Sequence, residues 1–126
     1  PCNGPEFVDS PDVPNADGYG LTQRGMKWLW DMYLNGAADR SNPYAVPHAA
    51  QSLAGLPPTI MITAEYDVLK ADGVAYYEKL KAAGNDVVYK DCPGMIHGFF
   101  NLGKHIEDGI TIRDWFAENI LRVVGK

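Results

Sequence analysis

Apolar positions along the chain follow two periodicities, separated by stretches that follow neither. Residues 1–20 carry four prolines and three glycines among Asp, Asn and Ser, which predicts an irregular loop. Thr22 then stands as a helix cap. Met26, Leu29, Trp30 and Tyr33 recur at helical spacing over a helix from about Gln23 to Leu34. Trp28 and Met32 lie off that stripe, so the helix is apolar nearly all round, and burial on two sides is the plain expectation. The sharper alternative places Trp28 and Met32 at a pocket mouth, touching an apolar ligand. Gly36 stops the helix. Residues 37–58 return to loop, with Pro43, Pro47 and Pro57-Pro58 and a short helical turn around Ala49–Ala54.

The clearest pattern comes next. Thr59-Ile60-Met61-Ile62-Thr63-Ala64 is a short, almost continuously apolar run rich in β-branched residues, as in strands buried on both faces of a parallel sheet. A helix over about Ala71–Ala83 follows, with Val74, Tyr77 and Leu80 on one stripe and Gly84 as its stop. Val87-Val88-Tyr89-Lys90 predicts a second strand, completing a βαβ unit. Ile112, Phe116, Ile120 and Val123-Val124 mark an amphipathic helix ending before Gly125. The organisation is a loop over 1–20, a helix with connecting loops over 21–58, a βαβ unit over 59–100 and a C-terminal helix over 106–126.

The fold class is therefore α/β, yet two parallel strands are a poor independent sheet, since such strands need neighbours and cover on both faces. The chain also opens Pro1-Cys2-Asn3-Gly4-Pro5, without an initiator Met. The expectation is the C-terminal portion of a larger α/β domain, or a chain packed on a second one, with an oligomer or swapped assembly as the consequence of uncovered apolar strand and helix surface.

Charge and composition narrow the partners. The 126 residues are 46% hydrophobic and 21% charged, with a formal net charge of −5, and no basic cluster suits nucleic acid. No apolar run is long enough to span a bilayer. Two cysteines, Cys2 and Cys92, are too few for a disulfide framework and suit a reducing compartment, with the cytoplasm favoured. His48, His97 and His105 lack metal-ligand spacing, and the scattered glycines form no phosphate loop, so neither metal nor cofactor is expected. His48, alone in a proline-flanked loop, reads as a solvated histidine.

Candidate chemistry sits at the strand ends, where open α/β sheets bind ligands. The first strand leads into Glu65-Tyr66-Asp67, the second into Asp91-Cys92-Pro93-Gly94-Met95-Ile96-His97-Gly98-Phe99. A right-handed crossover brings both ends to one sheet edge, and neighbouring strands lie about 4.8 Å apart. A carboxylate at Asp67 and an imidazole at His97 can then meet as the orienting half of a nucleophilic triad. The plainer readings are a helix-start carboxylate for Asp67 and a backbone-bonded loop histidine for His97. No G-x-S-x-G occurs, and Ser10, Ser41 and Ser52 sit in loops without flanking glycines, so none is a candidate nucleophile. Cys92 reads as a small buried hydrophobe.

The words Leu56-Pro57-Pro58-Thr59, Ile62-Thr63-Ala64-Glu65-Tyr66-Asp67-Val68-Leu69-Lys70 and Gly94-Met95-Ile96-His97-Gly98-Phe99 closely resemble the C-terminal section of the hormone-sensitive-lipase-like esterases, the α/β-hydrolase fold-3 group. Leu21-Thr22, Met26, Trp28, Tyr33-Leu34 and Asn42-Pro43-Tyr44-Ala45 extend the resemblance over residues 19–124. It implies the C-terminal part of an α/β-hydrolase sheet, with Asp67 as triad acid and His97 as base. The serine and the oxyanion segment of that family precede the acid in chain order, so the nucleophile would lie outside this chain. Val68, Lys70 and Ala71 depart from the family's Asp-Pro-Leu-Arg-Asp. The implied activity is hydrolysis of carboxylic esters without a cofactor. The apolar helix over 23–34 and Met95-Ile96 themselves suggest an acyl group of short or medium length, with Trp28, Met32, Met95 and Ile96 as candidate substrate contacts. A non-catalytic binding protein on the same fold, as in the plant gibberellin receptors, is the alternative; those lack the triad histidine. A third reading is a short chain that pairs with a partner.

Overall fold

The computed structural model describes residues 4–102 and 105–125; Cys2 lies outside them. The elements in chain order are α1 (Glu6–Asp9), α2 (Gln23–Tyr33), β1 (Thr59–Tyr66), α3 (Lys70–Ala82), β2 (Val87–Ile96) and α4 (Glu107–Val124), with 3₁₀ turns at Ala37–Ser41, Pro47–Ala49 and Phe99–Leu102. The N-terminal loop thus holds one short helical turn, α1. Residues 50–54 do not form the helical turn expected around Ala49–Ala54; a 3₁₀ turn stands at Pro47–Ala49 instead, where Pro47 sets the backbone angle of the first helical position. Helix α2 starts where the cap predicts: the Thr22 hydroxyl oxygen accepts the Gly25 N–H at 3.0 Å.

Strands β1 and β2 pair in parallel and form a two-stranded sheet, the pairing that the α3 crossover dictates. Alternation along the strands divides its faces. On one face Thr63, Tyr89 and Asp91 meet α3. The Tyr77 and Tyr89 rings stack at 4.5 Å, and a side chain at Gly73 would meet the Thr63 methyl at 2.9 Å. Glycine there lets α3 lie close on β1. On the other face Ala64 and Cys92 join Met95, Phe99 and Ile112 in a core closed by α4. A second core joins Val8, Met26, Trp30, Val46 and Val68, tying α1 and α2 to the segment after β1.

Two expectations are corrected. Burial of α2 is one-sided: Met26 and Trp30 are buried, whereas Trp28 and Met32 are 62% and 70% exposed, because the packing partners from α1 and Val46 cover a single stripe. Strand β1 is half-buried over Thr59–Ile62 rather than fully enclosed, since its only sheet neighbour among the described residues is β2. Strand β2 runs six residues past the predicted Lys90. No helix among the described residues is long and apolar enough to cross a membrane.

Candidate active site

The carboxyl end of β1 delivers Asp67 into a tight turn. Asp67 Oδ1 accepts the Leu69 N–H at 2.8 Å, and the Lys70 N–H reaches the Asp67 carbonyl at 3.0 Å, an Asx-type arrangement that leads straight into α3. Val68, which replaces the proline of the related motif, is 4% exposed and packs in the Val8–Trp30 core. That burial anchors the turn from below. Lys70, in place of arginine, bonds Asp91 Oδ2 at 2.8 Å across the sheet, and Thr63 Oγ1 donates to Asp91 Oδ1 at 3.0 Å.

The Lys70–Asp91 bridge shifts both partners. Burial opposes ionisation of Asp91, but the hydrogen bonds from Lys70 and Thr63 outweigh it and hold the carboxyl below its ordinary range. The bond to Asp91 raises Lys70. A carboxyl with a depressed folded-state pKa stabilises the fold above its unfolded value and loses that contribution as pH falls through the folded value. Lys70 contributes below its ordinary value and loses the contribution as pH rises through its raised one. Asp91→Asn should therefore lower the melting temperature at neutral pH by a small amount, the bridge being partly exposed. The difference from the parent chain should close below about pH 4 in thermal melts taken across acid pH.

Beyond β2, His97 meets Asp67. A carboxylate oxygen accepts, so His97 Nδ1 carries the proton and donates to Asp67 Oδ2 at 2.9 Å. Asp67 has 14% of its side chain exposed and His97 46%. The acid is held in the protein while the imidazole looks outward, with Nε2 as its other nitrogen. His97 also lines an open pocket of about 550 Å³ with Leu21, Met26, Leu29, Trp30, Tyr33, Tyr44, Ala45, Pro47 and Leu69.

That lining includes none of the four expected substrate contacts. Trp28 and Met32 are not among the lining residues, because they project from the opposite side of α2. Met95 is 7% exposed in the α4-side core, and Ile96 pairs with Tyr66 at the end of the sheet. Leu29 and Tyr33 line the pocket instead. They belong to the stripe read as core, and that stripe is wider than the buried pair Met26 and Trp30 requires. Leu69 and Tyr44 carry no signal in the periodicity that could have found them.

The three serines, none of them read as a nucleophile, are bonded within their own loops. Ser10 Oγ accepts from Asp12 N–H, the Ser41 hydroxyl donates to the Ala38 carbonyl, and Ser52 Oγ accepts from Ala54 N–H. Cys92 is a free thiol, fully buried, and burial raises its pKa, the opposite of an activated thiolate. His48, expected in solvent, is half-buried against Lys79 and Phe7. Burial, then the Lys79 charge, lower its pKa. Among the described residues no group of three His, Cys, Asp or Glu side chains is placed to hold a metal.

Comparison with known proteins agrees with this architecture. A family model described as alpha/beta hydrolase fold matches residues 4–101. The chain is 36% identical over 88 residues to a carboxylic ester hydrolase, LipN, of Mycobacterium tuberculosis, covering 69% of this chain and 23% of the relative. It is 34% identical over 93 residues to ethyl acetate hydrolase of Pseudomonas putida, covering 74% and 29%. Among solved structures, an ester hydrolase from the metagenome of Lake Arreo superposes with a TM-score of 0.79 at 35% identity, over 89% of this chain and 36% of that one. A fungal esterase from Rhizomucor miehei does so with a TM-score of 0.78 at 39% identity, over 86% and 34%. The chain thus spans 23–30% of the length of curated relatives it matches. With the crossover, the strand-end pair and a family match over most of its residues, the chain belongs to the alpha/beta hydrolase fold family, in its hormone-sensitive-lipase-like group, and represents part of that fold.

Proposed function

We propose that this chain supplies the acid and base of a serine carboxylesterase. The observation that carries the reading is the His97 Nδ1–Asp67 Oδ2 bond of 2.9 Å at the rim of an apolar pocket. In this role Asp67 holds the imidazole in one tautomer and stabilises its cation. Nε2 takes the proton of a serine supplied by the rest of the hydrolase domain, then returns it to the departing alcohol. In the second half-reaction the same nitrogen activates the water that releases the acid. The substrate is a small ester, with its apolar portion against Leu29 and Tyr33. The relatives' own names, carboxylic ester hydrolase and ethyl acetate hydrolase, support the substrate class. The remainder of the domain, or a second chain, covers the open sides of the two-stranded sheet and the exposed Leu121 and Val124 of α4.

The test is a graft in which residues 4–125 replace the matching part of the Lake Arreo hydrolase. The grafted protein should hydrolyse p-nitrophenyl butyrate, and His97→Ala should abolish turnover while leaving the melting temperature within a few degrees. A folded graft whose activity survives loss of His97 would refute the assignment.

A further inference from the structure

The register between the strands changes just before the site. Through Ala64 each β1 residue faces the β2 residue 28 positions later, Ala64 opposite Cys92; at Tyr66 the offset is 30, with Tyr66 opposite Ile96. Strand β2 therefore carries two extra residues, a bulge within Pro93–Met95. Continued without the bulge, the first register would set Asp67 level with Met95. The shifted register sets it level with His97.

A two-residue slip is a particular hazard. A one-residue slip would turn every side chain to the wrong face, so the burial pattern forbids it. A two-residue slip keeps each side chain on its own face and costs little by that criterion. It would nonetheless carry His97 about 6.6 Å along the strand, two steps of about 3.3 Å, beyond hydrogen-bond reach of Asp67. Something more local has to hold the bulge.

Glu65 is placed to do so. Its Oε2 accepts the Gly94 N–H at 2.7 Å, and Gly94 has φ +73 with open space where a side chain would be. Glu65 is itself anchored, since its carbonyl accepts Asn15 Nδ2 at 2.9 Å. The next residue, Tyr66, stacks on Tyr19 at 4.9 Å. We propose that Glu65 is a positioning residue that locks the β2 bulge and thereby sets His97 opposite Asp67. It acts through His97 and touches no reacting atom. A carboxylate on a backbone N–H is a charge-assisted bond, and a glutamine carbonyl can replace the acceptor.

The catalytic readout rests on the esterase reading above, so a second readout stands apart from it. In the grafted hydrolase, Glu65→Ala should lower kcat about tenfold with KM within about twofold. It should also weaken or remove the downfield proton resonance of the His97 Nδ1–H bond. Glu65→Gln should restore both. Retention of kcat and of the resonance in Glu65→Ala would overturn the proposal. So would equal losses in the Ala and Gln variants, which would mean that the charge rather than the acceptor matters. A loss that merely follows a lowered melting temperature would also overturn it. Turnover failing in the unsubstituted graft would count against the esterase reading, while the resonance would still decide the role of Glu65.

Discussion

In the completed hydrolase, Asp67→Asn is expected to lower kcat by up to about 10⁴, equivalent to roughly 5.5 kcal/mol of transition-state stabilisation, with little change in melting temperature. The magnitude is that of the serine-protease triad, in which the same substitution favours the wrong imidazole tautomer. The geometry allows a clean test. The two carboxylate oxygens divide their work, Oδ1 accepting the Leu69 N–H and Oδ2 accepting from His97 Nδ1. Asparagine can keep the first bond through its carbonyl oxygen, so the turn into α3 survives. Its amide then faces the imidazole with a donor where an acceptor stood, and the proton must leave Nδ1 for the bond to persist. Nε2 then carries the proton and can no longer serve as base. Steady-state kinetics on p-nitrophenyl butyrate measure the effect. A loss below tenfold with an unaltered melting temperature would remove Asp67 from the role of acid and leave it as a turn-forming carboxylate.

The 126-residue chain by itself should hydrolyse the same ester no faster than free imidazole at equal concentration. An oriented imidazole speeds acyl transfer chiefly by activating a nucleophile held against it, and by acting beside oxyanion donors. Ser10, Ser41 and Ser52 are bonded within their own loops, and Cys92 is sealed in the core. Turnover well above imidazole, abolished by His97→Ala, would demand a nucleophile within this chain. The same preparation should scatter light as a species heavier than a monomer. Strand β1 has one sheet neighbour among the described residues, and Leu121 and Val124 stand exposed on α4. A compact monomer with a cooperative thermal transition would show instead that two strands suffice.

Much of this protein is legible along the chain because it rests on local physics. The Thr22 cap, the α3 stripe with its stop at Gly84 and the strand–helix–strand order each depend on a few neighbouring residues, and each stands where the spacing places it. Handedness and strand spacing bring Asp67 and His97 to one sheet edge, and the resemblance of the flanking words points to the same two residues; that they stand level depends on the β2 register shift. Tertiary structure decided the rest. The second strand reads as ending at Lys90, yet β2 continues to Ile96, because a bulge lets it pass Pro93 and Gly94 while Glu65, 29 residues before Gly94, takes the Gly94 N–H. Likewise α2 offers apolar residues all round, and only the placement of α1 and Val46 selects Met26 and Trp30 for burial. The same packing leaves Leu29 and Tyr33 to the pocket and Trp28 and Met32 exposed. Periodicity reports which side chains favour an apolar environment; which neighbour covers them, and in what register two strands pair, are set by contacts between residues far apart in the chain.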